Sequence, residues 1–145
     1  MVLILLILFC IICLSNKKDN ISLVFNENDY NYKIYDLDLS KDNITTNNLD
    51  SYFQGYTVIG IKPNINPIYK KIINIKEYDF DTTKTIDNNI DSFNEIYINL
   101  LKENNLNSEI DNYYYHGLKI DEITLYITNT ELNTILMNKN IEVIK

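Results

Sequence analysis

Apolar positions are most concentrated at the start of the chain, where Val2 to Leu14 form an unbroken hydrophobic run. After Asn16 the sequence becomes polar, acidic and rich in tyrosine. The run lacks the polar positions at helical spacing that a helix in a soluble core would have. Its length is typical of the apolar region of a signal peptide and is shorter than the roughly 20 residues of a spanning helix. The pattern therefore predicts that residues 1–15 are a signal peptide or a membrane anchor.

Two processing routes fit the residues at the end of the run. In the first, a signal peptidase cuts between Ser15 and Asn16, with Cys13 and Ser15 as the small residues at positions minus three and minus one. In the second, Cys13 carries a lipid. The run followed by the polar residues 15–19 resembles a bacterial lipoprotein signal, which implies lipidation of this cysteine. Either route predicts an extracytoplasmic location, with the chain secreted or anchored by its N-terminal segment.

A third possibility is that the segment is retained as an uncleaved anchor. Lys17 and Lys18 lie just beyond the apolar run. Basic residues next to an anchor favour the cytoplasmic side for that end, which argues against export. The residues of the segment leave all three outcomes open.

Residues 16–20 are polar and are predicted to be a linker to a single domain that spans 21–145. The first half of this domain alternates between apolar and polar positions, as β-strands do. The predicted strands are 21–25 and 30–39, which would form an N-terminal hairpin, then 56–62, and a β-rich stretch at 68–80. Pro63 and Pro67 interrupt this pattern, because proline cannot continue a hydrogen-bonded ladder. Loops are predicted at 40–50 and 81–89.

One strongly amphipathic helix is predicted to begin at Ser92, where Glu95 three residues later completes a capping box. Its apolar positions recur every three or four residues and form a single stripe. The stripe consists of Phe93, Ile96, Tyr97, Leu100 and Leu101. The helix is expected to end at Asn104 and Asn105, because asparagine tolerates the left-handed conformation that closes many helices.

The last third of the chain predicts two strands, a helix and a final strand. The strands are 111–118 and 119–127, which turn near Gly117, and 141–144. On the second of them, Ile123, Leu125 and Ile127 share one face. The helix begins with a capping box formed by Thr128 and Glu131. Its buried stripe consists of Leu132, Ile135 and Leu136, and it ends at 138–140.

From residue 56 onward the predicted order is strand, strand, helix, strand, strand, helix, strand. If 56–80 contributes one principal strand, this is the order of a split β-α-β unit in a ferredoxin-like sheet. The predicted fold class is therefore α+β. We expect an antiparallel sheet with two helices on one face, a ferredoxin-like split β-α-β core, and the N-terminal hairpin.

The charge balance restricts the classes of partner. The chain has 13 basic residues, all of them lysine, and 20 acidic residues, which gives a net charge of -7. Nucleic acids and anionic membrane surfaces both need cationic partners. We therefore expect no nucleic-acid binding, and membrane contact only through the N-terminal segment. Both cysteines lie in that segment, so the domain has no disulfide framework.

Residues Tyr113 to His116 are the candidate contact site. His116 is the only histidine, so a catalytic triad or a histidine-based metal site lacks its partners. Tyrosine provides contact area at a low entropic cost, and Tyr113, Tyr115 and His116 are therefore candidates for contact with a ligand or partner. Alternate tyrosines on a strand would equally serve its core face and its outer face.

Paired aspartates suggest a second kind of chemistry. Asp36 with Asp38, and Asp79 with Asp81, are two residues apart, and carboxylate pairs catalyse glycoside hydrolysis. The first pair also begins like a calcium loop, but Lys41 stands where that loop needs glycine. A hydrolase that uses carboxylates and tyrosine is therefore an alternative function. No metal, cofactor or catalytic residue is assigned.

The C-terminal third resembles the inhibitor domains of the subtilisin-propeptide family. The resemblance rests on the helix start Thr128-Asn129-Thr130-Glu131-Leu132 and on the terminal segment Asn140-Ile141-Glu142-Val143-Ile144. It implies a ferredoxin-like fold whose terminal strand and tail, ending at Lys145, lie along a protease cleft.

Together these patterns predict a small, non-enzymatic binding domain that is exported or tethered to a membrane. Its partner would be a protein or small ligand outside the cytoplasm. A protease-inhibitor-like module and a carboxylate-dependent hydrolase are the alternatives. No cofactor is expected in any of the three.

Overall fold

The computed structural model describes residues 2–24, 44–138 and 142–144. Within these ranges the chain forms five helices and five strands. In chain order they are α1 (Val2–Ser15), β1 (Lys18–Val24), α2 (Leu49–Phe53), β2 (Thr57–Pro63), β3 (Tyr78–Asp79), α3 (Ile86–Glu103), α4 (Asn107–His116), β4 (Ile120–Thr128), α5 (Asn129–Asn138) and β5 (Glu142–Ile144). The predicted strand 30–39, and with it the N-terminal hairpin, lies outside the described residues.

The strands form one antiparallel sheet in the order β3-β2-β4-β1-β5. Its longest pairing joins β1 to β4, from Lys18 opposite Thr128 to Val24 opposite Glu122. β1 therefore begins at Lys18, three residues before the predicted start, and part of the segment predicted as a linker belongs to the sheet. The polar residues at 18–20 are exposed, so they join the ladder through their backbone without needing apolar side chains.

One face of the sheet is buried and the other is partly exposed. Ile21 and Leu23 of β1 lie on the buried face with Ile123, Leu125 and Ile127 of β4, which confirms the predicted face of β4. Residues from three helices pack into the same core. They are Leu49 and Phe53 of α2, Ile86 and Ile90 of α3, and Leu132 and Ile135 of α5. The fold is thus α+β, with an antiparallel sheet whose buried face is covered by helices.

Helix α3 begins six residues before Ser92, so the predicted start was wrong. Its N-cap is Thr85, whose Oγ1 accepts a hydrogen bond from the Asn88 backbone N–H at 3.1 Å. The Ser92 hydroxyl lies inside the helix and donates to the Asn88 carbonyl oxygen. The apolar stripe extends backwards because Ile86 and Ile90 are spaced one turn apart. The predicted end is confirmed, since Asn104 is the C-cap and Asn105 adopts a φ of 58°.

This difference in capping is testable with two small substitutions. Thr85→Ala is expected to lower the free energy of unfolding by about 1 kcal/mol, because the Asn88 N–H loses its acceptor. The control Ser92→Ala is expected to change it by less than about 0.5 kcal/mol, because that hydroxyl caps nothing. Denaturant unfolding of both variants measures the two values. A larger loss at Ser92 than at Thr85 would restore the later helix start.

Residues 107–116 form helix α4, so the predicted strand 111–118 was wrong. Leu106, Ile110 and Tyr113 follow helical spacing and pack into a second core beside α3. Gly117 ends this helix with a φ of 68°, and a Cβ there would lie 2.8 Å from Thr46 Oγ1. The turn near Gly117 is therefore a helix end rather than a hairpin.

The region 68–80 consists of a turn at 68–72, an irregular stretch at 73–77 and the short strand β3, which alone joins the sheet. Its buried isoleucine, Ile73, packs together with Ile65 against α3 and α4 instead of pairing in a strand. The β-rich prediction for this region was wrong in most of its length. The apolar side chain of Ile73 is buried, but its long-range packing against α3 and α4, rather than a preference for strand, decides the backbone conformation of this region.

Helix α5 follows the prediction closely. The Thr128 Oγ1 accepts from the Glu131 N–H at 3.2 Å, and Glu131 Oε1 accepts from the Thr128 N–H at 3.1 Å. Both hydrogen bonds of the capping box are therefore formed. Leu132 and Ile135 are buried, and β5 follows at the edge of the sheet.

Candidate functional site

Helix α1 is apolar on every side and exposed along its described side chains. Every residue from Val2 to Phe9 exposes at least 51% of its surface, and Cys10 is exposed as well. The helix has 14 residues and ends at Ser15. Within the described part of the chain, no helix is both long and apolar enough to cross a membrane. The surface of α1 is the largest exposed apolar feature that the structure describes.

The predicted processing positions lie at the end of this helix. Cys13 is two residues before the helix end, and the junction between Ser15 and Asn16 separates the helix from the start of β1 at Lys18. Cleavage at that junction would therefore remove α1 and leave every strand of the sheet intact.

Tyr113 is a core residue, in contrast to its predicted role at a contact surface. It exposes only 5% of its surface, its ring lies 4.8 Å from the ring of Tyr97, and its hydroxyl donates a hydrogen bond to Asn94 Oδ1. Burial, together with the neighbouring Tyr97 and Tyr114, raises the pKa of Tyr113 to about 12. Its phenol is therefore a structural group.

Tyr115 and His116, by contrast, lie on the surface at the end of α4. Tyr115 exposes 82% of its surface, and its ring lies edge-on to His116 at 4.7 Å. Tyr114 beside them is also exposed. Positions 113 and 115 are roughly 200° apart around a helix, so the structure does not bring Tyr113 and Tyr115 together. We call Tyr114, Tyr115 and His116 the α4 aromatic surface.

Two tyrosines, Tyr69 and Tyr97, interact with the half-buried carboxylate of Glu109 beside the second core. The Tyr69 hydroxyl donates to Glu109 Oε1 at 3.0 Å, and this bond to the carboxylate raises the pKa of Tyr69. Burial, with smaller effects from Glu109 and Tyr69, raises the pKa of Tyr97 to about 12. No local pattern in the sequence indicates this cluster, because residue 69 is far from residue 97 in the sequence.

The buried phenols make stability depend on pH in the alkaline range. Tyr97 and Tyr113 ionise near pH 10 when unfolded but only near pH 12 when folded. Their contribution to stability is therefore complete below pH 10 and is lost as the pH rises from 10 to 12. Denaturant unfolding across this range, with near-ultraviolet detection of phenolate, is expected to show this loss, and Tyr113→Phe is expected to reduce it. If folded and unfolded chains release these protons at the same pH, the tyrosines are not buried as described.

A groove beside β3 is lined by three carboxylates. Glu77, Asp79 and Glu122 line it together with Lys62, and its volume is about 140 Å³. Asp81 does not reach this groove. It accepts hydrogen bonds from the backbone N–H and the hydroxyl of Thr83, which lower its pKa.

The structure therefore does not bring Asp79 and Asp81 together as a catalytic pair. Asp36 and Asp38 lie outside the described residues. Among the residues that the structure describes, no group of three or more histidine, cysteine, aspartate or glutamate side chains is placed to hold a metal ion.

A larger recess of about 270 Å³ lies between α2, β2 and the start of α3. Val58, Phe80 and Ile86 form its apolar floor, and Asp50 and Lys84 are its charged lining residues. The recess was not predicted, because 81–89 was expected to be loop and because α2 was not expected.

Asn89 is the buried polar side chain of this recess. Its Nδ2 donates to the carbonyl oxygens of Asp81 and Thr85, both at 2.9 Å, and its Oδ1 accepts from the Asp81 N–H at 2.7 Å. These bonds attach the turn at 81–85 to α3 and shape one wall of the recess.

Four features are thus candidates for function: the apolar helix α1, the α4 aromatic surface, the groove beside β3, and the recess beside α2. They lie at different places in the fold, although β2 lines both the groove and the recess, and each offers a different kind of contact. No protein-family model, curated protein or solved structure matches the chain.

Proposed function

We propose that the protein is a small, non-enzymatic binding domain that is exported, or tethered to a membrane, by residues 1–15. The observation that carries the proposal is α1, a helix that is apolar on all sides and exposed from Val2 to Phe9. Moving a fully exposed leucine or isoleucine side chain into an apolar environment is worth about 1.5–3 kcal/mol, and a partly exposed one proportionally less. The eight apolar side chains from Val2 to Phe9 each expose at least half of their surface, and together they give α1 a strong preference for lipid or for the export machinery.

The binding surface of the proposed domain is the α4 aromatic surface. Tyr114 and Tyr115 present large side chains with few rotatable bonds, which lose little entropy on contact. His116 adds a polar edge beside Tyr115. The partner is a protein or small ligand outside the cytoplasm. Nucleic acid is disfavoured by the net charge of -7.

We also propose that four of the five strands follow a ferredoxin-like arrangement. A split β-α-β unit has an antiparallel strand between two strands that run in the same direction. Two such sets of three strands in the sheet support the proposal. In the first, β4 lies between β1 and β2 and is antiparallel to both. In the second, β1 lies between β4 and β5 and is antiparallel to both. β3 would then be an additional edge strand. This assignment uses β1 in place of the strand that was predicted at 111–118.

A protease-inhibitor-like module is the second candidate, supported by the position of β5. Among the described strands, β5 is at one edge of the sheet and pairs with β1 alone. A cleft-binding tail needs such a position. The candidate predicts inhibition of a subtilisin-type protease by the full-length chain and loss of inhibition when 142–145 is removed. Absence of inhibition by a folded chain at micromolar concentration would eliminate it.

The export proposal is tested with a reporter that is active only outside the cytoplasm, such as a bacterial alkaline phosphatase. Residues 1–20 fused to this reporter are expected to make it active. The matched control lacks residues 2–14 and is expected to leave the reporter inactive. An inactive reporter behind the intact segment, with the fusion found in the cytosol, would contradict export.

A further inference from the structure

The recess beside α2 combines an apolar floor with a polar opening. Its volume of about 270 Å³ is close to the lower end of the roughly 300–1,000 Å³ found for small-molecule sites. Val58, Phe80 and Ile86 are buried at the floor, and Tyr56 is half-buried at its side. At the opening, a Cβ on Gly55 would meet no atom within 4 Å. A ligand with a compact apolar body can therefore enter through the opening at Gly55 and contact the apolar floor of the recess.

The two charged lining residues have different surroundings. Lys84 lies close enough to Asp81 that its charge contributes, after the hydrogen bonds of the turn, to the lowered pKa of that carboxyl. Asp50 lies near Asp87, whose pKa is raised by burial first and then by neighbouring carboxylates, Asp50 foremost. The Lys84 ammonium thus has the carboxylate of Asp81 as an anionic neighbour within the protein. Asp50, by contrast, has the second carboxylate of Asp87 near it, so the negative potential on the Asp50 side of the recess favours a cation.

We infer that this recess binds a small primary amine with an apolar body. The ammonium group lies beside Asp50, and the apolar body contacts the floor formed by Val58, Phe80 and Ile86. Asn89 does not compete for the ligand, because its amide already makes three hydrogen bonds within the protein. The inference goes beyond the proposed function, and it does not depend on where the chain is located or on the α4 aromatic surface.

Three probes with the same ring and different charge test the inference. Benzylamine, benzyl alcohol and benzoate are titrated into the isotope-labelled full-length chain in mild detergent, and amide chemical shifts locate the site. Benzylamine is expected to shift the amides of Asp50, Gly55 and Thr82, and to bind about tenfold more tightly than benzyl alcohol. A hydrogen bond to a charged group contributes more to affinity than a hydrogen bond between neutral groups, which is consistent with such a preference.

Asp50→Asn preserves the shape of the side chain and removes its charge. It is expected to abolish the preference for benzylamine over benzyl alcohol while leaving the affinity for benzyl alcohol unchanged. The control Asp111→Asn removes an exposed carboxylate from α4, which does not line the recess, and is expected to leave the preference unchanged.

Three results would overturn the inference. Benzyl alcohol could bind as tightly as benzylamine, benzoate could bind more tightly than both, or no probe could shift these amides at millimolar concentration. Tighter benzoate binding would assign the recess to anions held by Lys84. If Asp50→Asn fails to fold, the three probes on the unaltered chain still decide between these outcomes.

Discussion

Replacing Phe93 with alanine is expected to lower the free energy of unfolding by about 3–5 kcal/mol, the largest loss that we expect from a single substitution in α3. Phe93 is fully buried, and its ring lies 5.2 Å from the ring of Tyr78 and 5.8 Å from that of Tyr97. Its removal leaves a cavity between α3 and the region that precedes it. Denaturant unfolding of the full-length chain measures the loss.

Ile96 provides the matched control on the same helix. The sequence pattern placed Ile96 in the same apolar stripe, but the structure leaves 45% of its surface exposed. Ile96→Ala is therefore expected to cost only about 1 kcal/mol or less, because little apolar surface returns to water. Equal losses at the two positions would mean that α3 is rotated from the orientation described here.

A carboxylate in the middle of α1 is expected to release the full-length chain from lipid. Leu6 is exposed near the centre of this helix. An aspartate at the centre of a membrane-inserted helix costs about 2.5–3.5 kcal/mol, and replacing leucine also removes a favourable term. Leu6→Asp should therefore weaken binding to lipid vesicles by about 100-fold or more. Flotation of the purified chain with vesicles of neutral lipid measures the bound fraction.

Met137→Asp is the control for this experiment. Met137 exposes 78% of its surface on α5, so the substitution introduces the same charge at another exposed apolar residue. It is expected to leave vesicle binding unchanged. If both variants bind vesicles as the unaltered chain does, or if both are released, α1 is not the specific lipid contact.

The elements that were predicted well are those whose signals are local. The capping box that defines the start of α5 is a motif of only four residues, from Thr128 to Glu131, and both of its hydrogen bonds are formed. The alternation of Ile123, Leu125 and Ile127 identified the buried face of β4 because β4 is paired on both sides and buried on one face.

The errors concern segments where local preference and tertiary packing disagree. Tyrosine favours strands, so the run at 113–115 suggested a strand. Leu106, Ile110 and Tyr113 also follow helical spacing in the sequence. Their packing against α3 stabilises the helix over the strand that tyrosine alone would favour. Similarly, the polar residues around Asp87 concealed the first turns of α3, since Ile86 and Ile90 are the only apolar residues there.

The site features depended still more on contacts between distant segments. β1 pairs with β4 across about 100 residues of sequence, and the recess joins Asp50 to Lys84 through the packing of α2 beside α3. No local pattern specifies such a pairing. Tyr115 and His116 are exposed whereas Tyr113 is buried, and contact of Tyr115 and His116 with a ligand or partner stays a prediction.

Whether residues 1–15 export or tether the domain is decided by the intact mass of the mature chain, measured separately in the soluble exported, membrane and cytosolic fractions of native cells. We expect a chain that begins at Asn16 in the exported fraction, or one that begins at Cys13 with added acyl mass in the membrane fraction. An intact Met1 in the membrane fraction would identify the segment as an uncleaved anchor and retain the tethering. An intact Met1 in the cytosol would contradict both export and tethering.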